Sequence, residues 1–167
     1  MKLANVVIQS SWNNPEIRLY HGTNVECVDS ILNGIEISEL RESSDFGRGF
    51  YTTTNLVQAQ IWALRRARRR PQHAAVIEFL LSRDELAKLE SLWFVRAAAD
   101  THDFWTLVES CLETGIGNRG GDRWYDVVVG PVSMSFAKHR RHQNYDQVSF
   151  HTHRAFKVLE NRGRRRL

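Results

Sequence analysis

An α+β fold in a single domain is predicted for this chain. Segments with the alternation of β-strands are interspersed with segments of helical spacing, without the regular strand and helix alternation of a doubly wound fold. Of the 167 residues, 42% are apolar, which is enough to bury one core. There is neither an internal repeat nor a low-complexity linker. We therefore predict one domain over residues 1–167.

The first third of the chain predicts a strand, a short helix and a second strand. IRLYH at 17–21 alternates and is rich in β-formers, and we expect Gly22 to end this strand. Apolar residues at helical spacing over 24–32 predict a helix, which the following Asn-Gly pair stops. After a polar, glycine-containing loop, FYTTT at 50–54 predicts the second strand.

The middle of the chain predicts a longer helix, a buried strand and a capped helix. Asn55 is a suitable N-cap for a helix that continues through an arginine cluster and ends before Pro71. AVIEFLL at 75–81 is typical of a buried strand. The Ser-x-x-Glu pattern that begins at Ser82 predicts a capping box on a short helix through Leu92.

The last part of the chain predicts three strands and two helices. A strand is expected at 92–96, and the amphipathic segment 103–112 predicts a helix. YDVVVGPV at 125–132 predicts a central strand, because its residues are apolar and β-branched. VSFHT at 148–152 predicts another strand after a polar stretch, and the last helix is expected at 154–159.

Composition excludes several classes of protein. No apolar stretch is long enough to cross a bilayer, and no extended apolar segment follows Lys2, so we expect a soluble, unexported protein of the cytoplasm. Cys27 and Cys111 lack metal-ligand or disulfide-framework spacing, and we expect both to be buried, reduced thiols. We expect no metal site on four histidines that no cysteine or glutamate completes: His139, His142, His151 and His153.

Positive charge is concentrated in two arginine clusters, outside which acidic residues outnumber basic ones. The first cluster consists of Arg65, Arg66, Arg68, Arg69 and Arg70. The second consists of Arg162, Arg164, Arg165 and Arg166. Such clusters could bind nucleic acid, phosphates or an acidic partner protein, although a solvated helix end and a frayed tail would explain them equally well.

Two short motifs are weak evidence when each is taken alone. The histidine of HGT at 21–23 would usually be a hydrogen-bonded structural residue at a strand end. The glycines of GRG at 47–49 could serve only a turn that needs a positive φ. Their order and spacing are more specific, since a strand ending in HGT is followed by a short helix and then by FGRGFY at 46–51.

These two motifs resemble the ADP-ribosyltransferase superfamily, whose poly(ADP-ribose) polymerase branch carries similar segments. The chain more closely resembles a bacterial domain family of unknown function whose members often neighbour antitoxin-like genes. Four segments carry that resemblance in order: LYHGT from 19, DFGRGFYTT from 45, YDVVVGPV from 125 and DQVSFHT from 146. It covers a core of about 17–160 and leaves a basic C-terminal tail at 161–167.

The resemblance implies split, strongly bent antiparallel sheets with flanking helices and a cleft that binds NAD as a co-substrate. The implied catalytic residues are His21, Tyr51 and Gln147. The implied cofactor-binding residues are His21, Gly22, Thr23, Arg48, Gly49, Phe50, Tyr51 and Trp62.

Individual roles follow from the same resemblance. The backbone of Gly22 would bind the nicotinamide carboxamide, since no side chain blocks its approach, and His21 would hydrogen-bond the adenosine ribose. Tyr51 would stack on the nicotinamide ring. Trp62 is either a second stacking aromatic or part of the core. Arg48 could reach the pyrophosphate, or be exposed to solvent.

Gln147 departs from the superfamily pattern, in which a glutamate usually stabilises the positive charge that develops on the ribose. An amide can keep a hydrogen bond to the ribose but contributes only a dipole, which argues against polymer formation more strongly than against a single transfer. Asp146 would face the opposite side of its strand. Tyr145 stands where arginine-modifying relatives carry Glu or Gln, so arginine acceptors are not expected, and its ring could stack on a base.

We therefore expect an NAD-dependent mono-ADP-ribosyltransferase, a bacterial toxin or effector that modifies a protein or a nucleic acid and is paired with an antitoxin protein. Two alternatives use the same cleft. One is NAD glycohydrolysis, in which water replaces the acceptor. The other is a binding module that has lost turnover through Gln147 and binds NAD, nucleic acid or a partner.

Overall fold

Seven strands and five α-helices make up the described part of the chain. A computed structural model describes residues 14–40, 43–95, 101–114, 117–119, 123–135, 137–160 and 163–167. The strands are β1 Glu16–Asn24, β2 Phe50–Thr52, β3 Ala74–Ser82, β4 Ser91–Trp93, β5 Val127–Ser135, β6 Arg140–Phe150 and β7 Arg164–Arg166. The α-helices are α1 Val28–Asn33, α2 Leu56–Arg66, α3 Arg83–Leu86, α4 Thr101–Thr114 and α5 His153–Glu160. Short 3-10 turns lie at Val25–Cys27, Ile37–Glu39 and Pro71–His73.

The strands form two sheets, one with the order β1-β3-β7 and one with the order β2-β6-β5-β4. The predicted mixture of strands and helices is thus confirmed. Not every pairing is antiparallel, however, because β4 runs parallel to β5. The chain passes through α4 between these two strands, and such a helical crossover is what a parallel pair requires.

The two sheets share a core but are joined by only one backbone bridge among the described residues. Leu19 and Phe79 of the first sheet pack in one apolar cluster with Phe50 and Phe150 of the second and with Phe156 of α5. The bridge consists of two hydrogen bonds between Tyr20 and Thr53, with N to O distances of 2.8 and 2.9 Å. Beyond this bridge β1 and β2 are free to diverge.

Helix α2 packs closely on the first sheet because small residues face each other. Ala59 and Ala63 are buried against Val76 of β3. A Cβ atom added to Gly22 of β1 would lie 2.1 Å from the carbonyl oxygen of Ala59, so only glycine allows this approach. The predicted N-cap is confirmed, since the side chain of Asn55 accepts a hydrogen bond from the backbone N–H at the third helical residue.

Two predicted ends of elements are wrong. Strand β1 does not end at Gly22 but continues to Asn24, because its last residues pair with β3 as far as Ala74. Helix α2 does not continue to the residue before Pro71 but ends at Arg66. Arg68 and Arg69 adopt a left-handed backbone conformation, which ends the helix before the last arginines of the cluster.

The predicted helix through Leu92 is also too long. Helix α3 ends at Leu86, and Ser82 occupies its N-cap position without a side-chain capping bond. The end of the predicted helix instead belongs to β4, Ser91–Trp93, which pairs with β5. The strand expected at 92–96 starts earlier, at Ser91, and ends earlier, at Trp93, while Arg96 lies outside the described residues.

The C-terminal half confirms the central strand and corrects its neighbours. β5 is an inner strand, as predicted. β6 begins at Arg140, so most of the stretch predicted as a polar lead-in belongs to the strand. The segment predicted as a basic tail contributes β7, which pairs with β3, while Arg162 lies outside the described residues. Arg18 and Arg165 both form ion pairs with the buried Glu78, which gives β7 a side-chain anchor as well.

The two cysteines, both expected to be buried, differ in exposure. Cys111 is buried as expected, but Cys27 is exposed because it belongs to a short 3-10 turn at the surface. None of the helices in the described ranges has the length and apolar character needed to cross a membrane.

Candidate active site

A cleft of about 780 Å³ opens where β1 and β2 separate beyond the bridge between Tyr20 and Thr53. Both strands, α1, α2 and the loop before β2 contribute to its walls. His21, Tyr51 and Gln147, which are far apart in the sequence, line it together. The other predicted site residues that line it are Gly22, Thr23, Gly49, Phe50 and Trp62.

His21 is held in one orientation and one tautomer. Its Nδ1 lies 2.6 Å from the carbonyl oxygen of Tyr51, and its ring stacks on Phe50 at 4.4 Å between centroids. A carbonyl oxygen can only accept, so Nδ1 carries the hydrogen and Nε2 is left as an acceptor. Burial lowers the pKa of His21 to about 4, with a further contribution from the charge of Arg66. The imidazole is therefore neutral near pH 7.

Tyr51 is anchored to the loop that precedes it. Its hydroxyl donates to the carbonyl of Gly47 at 2.7 Å and accepts from the backbone N–H of Phe46 at 2.9 Å. Gly47 has a φ of 81°, which favours glycine and lets the loop fold back. Burial raises the pKa of Tyr51 well above its usual value. Tyr51 therefore offers the cleft a fixed, neutral aromatic ring.

The backbone of Gly22 is directed towards the cleft edge of β1. Tyr20 bonds to Thr53 on the edge of β1 that faces away from β3. In a strand, the N–H and C=O groups of residues two apart point to the same edge. The N–H and C=O of Gly22 therefore also point away from β3, where β2 has diverged and a ligand can bind them.

Gln147 is buried, and its amide is oriented by two acceptors. Its Nε2 donates to Asp45 Oδ2 at 2.8 Å and to the carbonyl oxygen of Pro131 at 2.9 Å. Its Oε1 is then the atom available to a ligand. As predicted, Asp146 faces away from Gln147, since its carboxylate bonds to the hydroxyls of Thr53 and Thr54.

Arg48 does not line the cleft, although its backbone helps to shape the loop. Arg66, at the end of α2, lines it instead and is the only Arg or Lys among the described lining residues. Trp62 precedes Arg66 by one helical turn and also lines the cleft, and the guanidinium of Arg65 lies 4.7 Å from its ring centroid. The predicted pyrophosphate contact therefore fits Arg66 better, because Arg66 lines the cleft and Arg48 does not.

His151 supports the loop before β2, which sequence reasoning did not foresee. Its Nδ1 donates to the carbonyl of Arg48 at 2.8 Å, and its ring stacks on Trp124. A Cβ atom on Gly49 would lie 2.5 Å from that nitrogen, so glycine is needed at this contact too. Burial lowers the pKa of His151 to about 4. In the sequence, the only indication of a role for His151 is its position in the DQVSFHT segment.

Two further histidines contact aromatic rings. His139 stacks on Trp105, and His142 stacks on Tyr145. The ring of Tyr145, which we expect could stack on a base, thus has a partner within the chain. The described residues include no group of three or more His, Cys, Asp or Glu side chains that could hold a metal ion.

One family model matches the chain. It is described as a protein of unknown function (DUF3990), and the match covers residues 17–135. It includes the segments that carry His21 and Tyr51 and ends before Gln147. This agrees with the resemblance to a domain family of unknown function. No curated protein and no solved structure matches the chain.

Proposed function

The chain belongs to the DUF3990 family of proteins of unknown function, and from its cleft we propose that it is an NAD-dependent mono-ADP-ribosyltransferase with an ADP-ribosyltransferase-like split sheet. The observation that supports this most is the meeting of His21, Tyr51 and Gln147 at one cleft. These are the residues that the resemblance implies for NAD. An imidazole suits a ribose hydroxyl, a tyrosine ring suits the nicotinamide ring, and a glutamine amide suits a hydroxyl of the second ribose.

Each part of NAD finds a suitable group. The outward N–H and C=O of Gly22 match the acceptor and donor of the nicotinamide carboxamide. The ring of Tyr51 offers a stacking surface for the pyridinium. Nε2 of His21 can accept from a hydroxyl of the adenosine ribose, and the guanidinium of Arg66 can bind the pyrophosphate. The cleft volume of about 780 Å³ is within the range usual for cofactor sites.

The proposed reaction breaks the bond between C1′ of the nicotinamide ribose and the pyridinium nitrogen. Nicotinamide leaves with the electron pair of that bond, and a lone pair of the acceptor forms the new bond to C1′. The acceptor proton is released to solvent. Positive charge develops on the ribose as nicotinamide departs, and Oε1 of Gln147 would accept a hydrogen bond from a ribose hydroxyl.

The proposed acceptor is a protein side chain or a nucleic acid. Exposed arginines at the end of α2, beside the lining residue Arg66, support a polyanionic acceptor. We further propose that the protein acts as a toxin or effector in the cytoplasm and is restrained by an antitoxin protein, as the family resemblance implies. A non-catalytic NAD-binding role is the second candidate, since the uncharged Gln147 weakens the electrostatic contribution to turnover.

The test measures nicotinamide release and NAD binding by the purified protein, with water alone and with cell extracts as the source of acceptors. We expect wild type to release nicotinamide and to label a component of the extract from NAD radiolabelled in its adenylate phosphate. His21→Ala and Tyr51→Ala should reduce release by about 100-fold or more. Tyr51→Phe keeps the ring but loses the loop anchor, so it should lose less.

His102→Ala, an exposed position on α4, is the matched control and should behave like wild type. Release without labelling would indicate hydrolysis, with water as the acceptor. NAD binding without release would favour the binding role. A wild-type protein that neither binds NAD nor releases nicotinamide would contradict the proposed function.

A further inference from the structure

Asp45 is an acidic residue of the cleft that contacts Gln147 directly. Its Oδ2 accepts from Gln147 Nε2 at 2.8 Å and from the backbone N–H of Ser133 at 2.7 Å. Its Oδ1 accepts from Ser133 Oγ at 2.6 Å. Three other acidic residues line the cleft, but none of them bonds to Gln147: Glu26, Glu36 and Glu39. Among the described acidic residues that line the cleft, Asp45 is the one that is hydrogen-bonded to Gln147.

The contacts of Asp45 are those of an ionised carboxylate. It accepts three hydrogen bonds from described residues and donates none, and all three donors are neutral. No cation is among these partners to neutralise it. Burial raises the pKa of Tyr51 and raises that of Cys111 to about 11, and the charge of Asp45 adds to both shifts. These two neighbours therefore stay protonated, and Asp45 carries the negative charge of this corner.

Gln147 suits this corner better than glutamate would. Its Nε2 faces two acceptors, Asp45 Oδ2 and the carbonyl oxygen of Pro131. A carboxylate oxygen in that position would face lone pairs on both sides and would have to hold a proton to stay there. Glutamine at position 147 departs from the superfamily pattern, but it is the residue type that can donate a hydrogen bond to the carboxylate of Asp45.

We propose that Asp45 supplies the negative charge which a glutamate at position 147 supplies elsewhere, and that it positions the amide of Gln147 for the ribose. This inference rests on the proposed function. In the transfer reaction, the bond from C1′ to the pyridinium nitrogen breaks and the electron pair leaves with nicotinamide. The charge of Asp45, one hydrogen bond behind Gln147, stabilises the positive charge that develops on the ribose. Asp45 is a positioning residue, since Gln147 lies between it and the ribose.

Asp45→Asn tests the charge with little change of shape. The Asn carbonyl oxygen can keep both N–H donors, and its NH₂ group can donate to Ser133 Oγ, which can rotate its hydroxyl to accept. We expect kcat for nicotinamide release to fall by about 10- to 100-fold. NAD affinity measured by calorimetry should change by less than about 3-fold, because the charge acts mainly in the transition state.

Asp126→Asn is the matched control. Asp126 is a buried carboxylate that also accepts from a backbone N–H, that of Glu90, and from a hydroxyl, that of Thr152, but it does not line the cleft. Its loss should lower the unfolding temperature while leaving kcat within about 2-fold of wild type. Unfolding temperatures of both variants show whether each remains folded during the assay.

Gln147→Glu gives a second and independent test. The introduced carboxyl would share a proton with Asp45, and the other titratable groups that face this corner are Tyr51 and Cys111. A pair of carboxyls raises the pKa of one of them, so the shared proton is lost as pH rises. Once that proton is lost, the two carboxylates repel each other and the side chain at position 147 can no longer stay beside Asp45. We therefore expect the activity of Gln147→Glu relative to wild type to fall between about pH 5 and about pH 9.

The outcomes separate the two proposals. Wild-type protein that neither binds NAD nor releases nicotinamide contradicts the proposed function itself. Active wild-type protein with an equally active, folded Asp45→Asn variant overturns only the role of Asp45. The role is also overturned if Gln147→Glu exceeds wild type at every pH, because the glutamate would then act without hindrance from Asp45.

Discussion

At the scale of single residues, His21 in the cleft and His151 at the loop before β2 each hold a backbone carbonyl in place. His21 and His151 each donate from Nδ1 to a backbone carbonyl, of Tyr51 and of Arg48 respectively. Both pKa values are lowered to about 4, mainly by burial. The folded protein therefore keeps both rings neutral while the unfolded chain protonates them near 6.5. Their contribution to stability is present above about pH 6.5 and is lost as pH falls towards about 4.

We predict that the free energy of unfolding decreases between about pH 7 and about pH 4.5, with about 2 kcal/mol of the loss due to His151. His151→Asn keeps a donor for Arg48 and should be less stable at neutral pH but less sensitive to acid. Urea unfolding at both pH values measures this. The exposed His102→Asn should keep the wild-type pH dependence. An unchanged slope in His151→Asn would show that its ring is not kept neutral by folding.

Residue types near the cleft could be predicted only where a motif surrounds them. The segments with His21 and Tyr51 are recognisable because their neighbours in sequence are also their neighbours in space. The contact between Asp45 and Gln147 joins residues 102 positions apart, and no local pattern indicates it. The sequence shows Arg66 only as part of a charged cluster, because nothing in it indicates which arginine of α2 faces the cleft.

The end of α2 shows a conflict at the scale of elements. The N–H of Arg69 bonds to the carbonyl of Leu64 and that of Arg68 bonds to Arg65, which is the Schellman arrangement. Arg68 occupies the position that usually holds glycine, and its φ is 52°. A side chain in this conformation costs about 1 kcal/mol. The exposed Arg68 therefore lowers the stability of this helix end.

Arg68→Gly should raise the free energy of unfolding by about 0.5 to 1 kcal/mol, because glycine relieves the strain and loses part of that gain to chain entropy. Arg65→Gly, within the last turn of α2, is the control of opposite sign and should cost about 1 kcal/mol. Urea unfolding measures both. Equal destabilisation by the two substitutions would contradict the left-handed conformation of Arg68.

The predicted elements agree best with the structure where an apolar pattern continues over many residues. α4 and β3 agree with their patterns, since each buries one continuous apolar set. The predicted ends of α2 and α3 are wrong. No glycine in the sequence marks the turn at Arg68, and backbone pairing with β5 places Ser91 and Leu92 in a strand. β7 was missed because an arginine run has no strand pattern, and only the backbone of β3 and the buried Glu78 give it a place.

At the scale of the whole molecule, β7 covers the outer edge of β3. It thereby closes one side of the sheet to which β1 and His21 belong. Its neighbours extend the pairing, since Leu80 donates to Gly163 and Leu167 donates to Val76. Without it, β3 would be an edge strand with open hydrogen-bonding groups, which favours association between molecules.

We predict that removing residues 163–167 lowers the free energy of unfolding by about 2 to 4 kcal/mol and promotes aggregation on heating. Arg165→Ala is the control, because it keeps the backbone ladder and loses only a largely exposed partner of Glu78, so it should cost less than about 1 kcal/mol. Thermal unfolding with light scattering measures both effects. A truncated chain as stable as wild type would show that β7 does not pair in solution.

The short strand β2 has a consequence for when the cleft forms during synthesis of the chain. Within the described residues its ladder is made only with β6, and the hydrogen bond from Thr52 to Val148 spans 96 positions. Such a distant closure loses chain entropy before it gains any pairing, so we expect β2 to order late in folding. Tyr51 would then reach its place last. A nascent chain that has not yet emerged from the ribosome as far as β6 would therefore lack a finished cleft.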